Sequence, residues 1–212
     1  MSATLSIPEE VLLLTLDDET GRPLGVPAQA VALALAGAAL MELALAGRLD
    51  SDLDRMFLAD PRPMGDALLD GVLAQIAAGP EGQDTRWWMG RLAGGAAAMR
   101  QVLLERLVGR GVLRRAEKRR FGFIPDRRYP KADGTAMNAT RARLRAVLLE
   151  GEMPEARDSL MAGLCAATGL IALLLSEIEA EGAAARIAAV TGLEEMSRAL
   201  LAETRDRLAA GH

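Results

Sequence analysis

The chemistry this 212-residue chain can offer a partner is concentrated between Arg110 and Lys131. That stretch holds Arg110, Arg114, Arg115, Lys118, Arg119, Arg120, Arg127, Arg128 and Lys131 against only Glu117 and Asp126. Nine cations against two carboxylates give plus 7, so with a total of minus 4 the rest of the chain carries minus 11. A strongly basic segment on an acidic chain is the electrostatic footprint of a phosphate-bearing partner. Phe121, Phe123 and Ile124 lie among the cations, and the mixture suits two kinds of contact. As the wing of a winged helix, the arginines would meet nucleic-acid phosphates, with steep salt dependence. Alternatively, the aromatic residues enter an anionic membrane surface while each nearby cation adds about 1 kcal/mol of attraction. A helical oligomerisation module is the third reading, and the residues alone do not choose among the three.

Other chemistry is poorly represented. The single histidine, His212, is the last residue, so neither a Ser-His-Asp nor a Cys-His site can be assembled, and clustered zinc ligands are missing. Cys165 is the only cysteine, which excludes an intramolecular disulfide; it suits a small core residue in a reducing compartment. Glu9 and Glu10 sit where a helix start favours acids, and Asp66 and Asp70 are spaced as solvated or locally bonded helix residues. Gly90-Arg-Leu-Ala-Gly-Gly95 has the wrong flanks for a dinucleotide fingerprint. No enzyme activity, metal or cofactor is therefore expected. The N-terminus lacks the order of a secretory signal, and the apolar stretch Leu160 to Leu175 is about one turn short of a membrane span, which points to a soluble, cytoplasmic protein.

The elements that must position the basic segment are mostly helices. Ser6-Ile7-Pro8-Glu9 is a capping box with proline in the first turn, starting a helix that carries Val11 to Leu16 into the core. Ala28 to Ala46 is a nearly all-apolar helix, and Arg48 to Ala59 suits a short hairpin or turn. Helical spacing returns over Gly65 to Ala77, around Trp87 to Leu92, and over Met99 to Val108, where Arg110-Gly111 ends it. Two short runs, Gly111 to Arg115 and Arg120 to Ile124, flank a charged turn at Ala116 to Arg119 and predict a basic β-hairpin. Helices are then expected over Ala136 to Glu150, Glu155 to about Glu181 and Leu193 to Ala209. Residues 1–212 form one all-α domain with one basic hairpin on this reading.

Four blocks give the pattern a family likeness: Pro8-Glu-Glu-Val-Leu-Leu-Leu-Thr-Leu16, Gly37-Ala-Ala-Leu-Met-Glu-Leu-Ala-Leu-Ala-Gly-Arg-Leu49, Pro63-Met-Gly-Asp-Ala-Leu-Leu-Asp70 and Arg106-Leu-Val-Gly-Arg-Gly-Val-Leu113. In this order they resemble the signature blocks of the Golgi phosphoprotein 3 family, and Leu160 to Leu175 matches its later core helix. The resemblance implies a central helical bundle wrapped by amphipathic helices, with a projecting β-hairpin. It also implies a peripheral membrane adaptor, lying on the inner face of a membrane, that binds phosphatidylinositol 4-phosphate and holds the cytoplasmic tails of client enzymes. The hairpin of eukaryotic members mediates self-association and lies near the membrane, so a homo-oligomer through the hairpin is implied. Without the long N-terminal extension of those members, the chain looks like the short bacterial-type form.

The family's phosphoinositide pocket uses one tryptophan and three arginines. The resemblance carries the tryptophan to Pro27 and the arginines to Ala36, Ala97 and Arg100, so only Arg100 keeps the required type. Each lost charge-assisted hydrogen bond to the headgroup is worth about 1.5 to 3 kcal/mol. The expectation is thus binding to anionic lipid through Arg100, Arg114, Arg115, Lys118, Arg119 and Arg120, aided by Phe121, Phe123 and Ile124, without selectivity for phosphatidylinositol 4-phosphate. Adjacent helical residues point about 100° apart, and the resemblance assigns a tryptophan to position 87. Trp87 is therefore expected to be packed, with Trp88 nearer the surface.

Overall fold

The computed structural model describes residues 4–52, 55–120, 124–132, 135–151 and 154–189, without the side chains of 117–127 and 133–137. The expected helix from Leu193 to Ala209 and residues Phe121 and Phe123 lie outside that range. Helix α1 (Ile7–Leu14) begins at the anticipated cap, with the Ser6 N–H donating to Glu9 Oε2 at 2.8 Å. All eight of its residues are buried, including Glu9 and Glu10. Helix α2 (Ala28–Leu45) packs against α1 and against the later helices α3 (Ala67–Ala77), α4 (Thr85–Ala93), α5 (Ala96–Gly109) and α7 (Ala156–Ala167). Its small residues permit that crowding: a Cβ on Gly37 would stand 2.6 Å from the Leu164 side chain of α7. By length and composition α2 is the described helix that could cross a membrane, rather than the Leu160 to Leu175 stretch, yet Leu35, Leu40 and Leu43 are core residues.

Two antiparallel ribbons accompany the helices. Strands β1 (Leu49–Ser51) and β2 (Met56–Leu58) form the small hairpin anticipated over Arg48 to Ala59. Strands β3 (Ala116–Arg120) and β4 (Ile124–Arg128) form the basic one, in the register Ala116 to Arg128 through Arg120 to Ile124. This corrects the sequence reading, which put a turn at Ala116 to Arg119 and ended the second strand at Ile124. The charged residues form the first strand, and its antiparallel partner begins at Ile124. Pro125 lies within β4, opposite Arg119, and a proline is compatible with a two-stranded ribbon because each of its strands has an edge that carries no ladder bond.

The C-terminal half brings a second correction. Helix α6 (Thr135–Arg145) runs into a π-turn at Ala146–Glu150, close to expectation. The single helix expected from Glu155 to Glu181 is divided into α7, a 3-10 turn (Leu170–Leu173) and α8 (Glu177–Gly182). Gly169, at φ 76°, breaks the first junction, and the Ser176 side chain accepts from the Glu179 N–H to start α8. Glycine just past a helix end and a Ser-x-x-Glu box are both stop-and-start signals. The continuous apolar character of the segment masked them.

The tryptophans are reversed from expectation. Trp88 is 3% exposed and Trp87 39% exposed. Trp88 shares the inward stripe of α4 with Leu92, four residues on, and so occupies the core phase of that helix. Its ring fills the space beside Gly79, where an added Cβ would lie 2.3 Å from the indole. The Trp87 ring meets it edge to face, with centroids 4.9 Å apart and planes at 85°. Denaturant melts should accordingly find a loss of about 3 to 5 kcal/mol for Trp88→Ala and under about 1 kcal/mol for Trp87→Ala. Equal losses in the two variants would contradict this packing.

Candidate functional site

The basic hairpin grows from the end of α5. Gly111 turns the chain at φ 72°, and the N–H groups of Val112 and Leu113 return to the Leu107 carbonyl at 2.9 and 3.2 Å. Leu113 bridges Lys131, and the Arg114 N–H donates to the Pro130 carbonyl at 2.8 Å, bringing the two limbs together below the ladder. The returning limb lies against the loop after α1. Gly21 adopts φ 64°, and a Cβ there would overlap the Tyr129 carbonyl carbon at 2.0 Å, so only glycine admits this approach. Tyr129 is buried, and Lys131 places its ammonium 2.8 Å from Asp18 with its side chain only 8% exposed.

This rooting changes the charge available to a partner. Lys131 pairs with Asp18 and Arg110 with Glu9, so both cations serve the interior. Between 114 and 128 the sequence holds seven further cations against Glu117 and Asp126, a formal local charge of plus 5. Arg114 and Arg115 are exposed at the entry to β3, with Arg114 Nε donating to the Lys131 carbonyl at 3.3 Å. Lys118, Arg119 and Arg120 lie on the β3 backbone, and Ile124 opens β4.

Arg100 does not join this group at its root. It is half-buried on α5, nine residues before Gly109, about 13 Å along the helix axis from the end where the hairpin departs. That exceeds the Debye length of about 10 Å at 0.1 M salt. The other three positions of the implied pocket are equally uncooperative: Pro27 is the exposed N-cap residue of α2, Ala97 is exposed, and Ala36 is fully buried in the core. A substituent at position 36 would face the interior.

Sequence reading missed a second charged cluster, around α1. Glu10 Oε1 accepts from Thr140 Oγ1 at 2.9 Å and Arg143 Nη2 at 3.0 Å, while its Oε2 accepts from Arg157 Nη2 at 2.8 Å. Arg143 also donates to the buried Asp158 at 2.5 Å, and Arg157 reaches Glu42 at 3.4 Å and the Leu5 carbonyl at 2.7 Å. Arg110 Nη1 lies 2.7 Å from Glu9 Oε2. Beside this lies the fork of Arg106 on Asp66, at 2.6 and 2.9 Å, where Asp66 also caps α3 through the Leu68 and Leu69 N–H groups. The carboxylates were legible as helix-start acids, and Glu9 is one. Their arginine partners follow more than 100 residues later, at no diagnostic spacing. A cleft of about 610 Å³ opens between these groups and the segment 4–6. Among the described residues, no group of three or more His, Cys, Asp or Glu could hold a metal ion.

Asp66 supplies a pH test of this cluster. Burial raises its pKa, but the Arg106 hydrogen bonds and charge, with the Leu69 and Leu68 N–H groups, outweigh burial and hold it below the ordinary carboxylate value. A carboxyl with a lowered folded-state pKa stabilises the fold above its unfolded value near 4, and that contribution is lost as pH falls through the folded-state value. Asp66→Asn retains a good capping side chain and should cost about 1 to 2 kcal/mol at pH 7. The difference from the parent should shrink toward zero in acid, and a loss independent of pH would contradict the ion pair's role.

Sequence comparison supplies the family. No curated protein matches the chain. The family model described as Golgi phosphoprotein 3 (GPP34) matches residues 7–208, nearly the whole chain, and the chain belongs to that family.

Proposed function

We propose that this protein is a non-enzymatic peripheral adaptor that meets the anionic inner face of a membrane through the β3–β4 hairpin and holds a protein client there. Family membership suggests a Golgi phosphoprotein 3-like role. The observation that carries the membrane reading is the local plus 5 charge of residues 114–128 on a chain of net minus 4, rooted through Gly21, Lys131 and Asp18. A rooted ribbon presents its charge with less orientational freedom to lose on docking. Among the described residues β3 and β4 form a two-stranded sheet, and a ribbon of that kind suits pairing with a second copy through the hairpin. Arg100 alone keeps the type required by the family's phosphoinositide pocket, while Ala36 is buried. These features favour general attraction to anionic lipid over selection of phosphatidylinositol 4-phosphate.

Co-sedimentation tests the reading with vesicles of phosphatidylcholine alone, with added phosphatidylserine, or with phosphatidylinositol 4-phosphate at matched charge. The two anionic compositions should bind alike and the neutral one should not, with binding falling as salt shortens the Debye length to about 8 Å at 0.15 M. Reversing two cations in Arg114→Glu/Arg115→Glu should cost about 2 kcal/mol or more, near thirtyfold in affinity. In a Trp88→Phe variant, the remaining exposed Trp87 should shift its emission to the blue if the α4 face also meets the bilayer. Salt-insensitive, phosphoinositide-selective binding would overturn the reading. Tighter binding to duplex DNA than to either anionic vesicle would transfer the hairpin to the nucleic-acid alternative.

A further inference from the structure

The outward face of α4 departs from local preference at three positions at once. Arg86, Trp87, Gly90 and Arg91 are exposed on it, while Trp88 and Leu92 face the core. A spacing of four makes Arg86 and Gly90 neighbours on the helix surface, and likewise Trp87 and Arg91, so the four residues form one patch. Arg86 lies in the first turn, where the helix dipole disfavours a cation. Gly90 lies in the helix interior, where glycine is disfavoured relative to alanine, yet an added Cβ would meet nothing within 4 Å, so packing does not call for it. Trp87 holds a large apolar ring 39% exposed, fixed edge to face against buried Trp88. Choices that oppose local preference with no gain inside the protein point to a contact outside it.

The patch is also positively charged without internal compensation. Among the described residues neither Arg86 nor Arg91 makes an ion pair or a hydrogen bond, whereas Arg106, Arg110, Arg143 and Arg157 are all bridged to carboxylates. No carboxylate occurs between residues 85 and 104. Asp84, just before them, is the N-cap and accepts from the Trp87 N–H at 2.7 Å. Glu42 is the one charged residue of α2, which packs against α4, and it is engaged by the Ile7 N–H and Arg157. We propose that this face of α4 is a second membrane contact, with the Trp87 ring at headgroup level and Arg86 and Arg91 on the phosphates of anionic lipid. A tryptophan between arginines, whose stems lie along apolar surface while their heads stay in a polar layer, suits the bilayer interface. Gly90 adds no side chain between them, so the helix can approach closely, and the ring already set by Trp88 has little freedom to lose. The inference rests on the anionic-membrane reading above but uses neither the hairpin nor Arg100.

Co-sedimentation of the full chain with phosphatidylcholine–phosphatidylserine vesicles at about 0.15 M salt tests it. One charge near the surface changes affinity about fivefold, so Gly90→Glu should bind about fivefold more weakly than the parent and Gly90→Lys about fivefold more tightly. Both should melt no lower than the parent, because space is open around Gly90 and both residues favour a helix more than glycine does. Gly182→Glu, at the exposed end of α8, changes net charge equally and should shift binding by less than about twofold. On vesicle binding the parent's emission should move to the blue, and Trp87→Phe, which retains Trp88 alone, should show no shift. Equal binding of Gly90→Glu and Gly90→Lys, an effect of Gly182→Glu as large as that of Gly90→Glu, or unshifted emission from the bound parent would overturn the α4 contact and leave the hairpin reading intact. Unchanged binding in Arg114→Glu/Arg115→Glu, with the Gly90 dependence retained, would remove the hairpin and keep α4. A parent that does not pellet with these vesicles would overturn both, and tighter binding of a polyglutamate peptide than of vesicles would assign the α4 face to an acidic protein and overturn its membrane role.

Discussion

A helix with no exposed residue cannot keep its charges in water, and α1 carries two of them. Leaving Glu9 and Glu10 unpaired in the interior would cost several kcal/mol each, so arginines must come to them. Those arginines arrive from the end of α5, from α6 and from α7, which makes α1 the common partner of elements far apart in sequence. The ion pairs constrain geometry more than they add stability, because each pair gives up hydration to form. Removing one partner is another matter, since the charge left behind is stranded in the core.

The basic hairpin depends indirectly on that arrangement. Arg110 is both the C-cap residue of α5 and the partner of Glu9, so the helix end from which the hairpin departs is held against α1. The loop leaving α1 then receives the returning limb at Gly21, with Asp18 taking Lys131. Two cations counted within the basic segment thus anchor its root, and the charge presented beyond them is smaller than composition suggests. The same fold that assembles the hairpin buries position 36, one of the places where the family's lipid pocket would need an arginine.

Local signals in the sequence were strong where a residue acts on its immediate neighbours. The Ser6 cap, the apolar run of α2, the end of α5 at Gly111 and the small β1–β2 ribbon could all be read, because each depends on contacts within a few residues. Reading failed where two local patterns competed. The charge of Ala116 to Arg119 suggested a turn where β3 runs, the apolar run after Glu155 hid the breaks at Gly169 and Ser176, and position 87 was preferred over the Trp88–Leu92 stripe.

The amino-acid sequence by itself determined the mainly helical class, the family likeness carried by four ordered blocks, and the location of the basic segment. These follow from residue types, caps and short-range periodicity. Only the tertiary structure decided which charges stay internal and which tryptophan is buried. Those outcomes turn on partners more than 100 residues apart and on the rotational phase of each helix, set by what packs against it. A charge looks the same in sequence whether it will face water or a buried carboxylate, because its free energy is fixed by surroundings that exist only after the chain has folded.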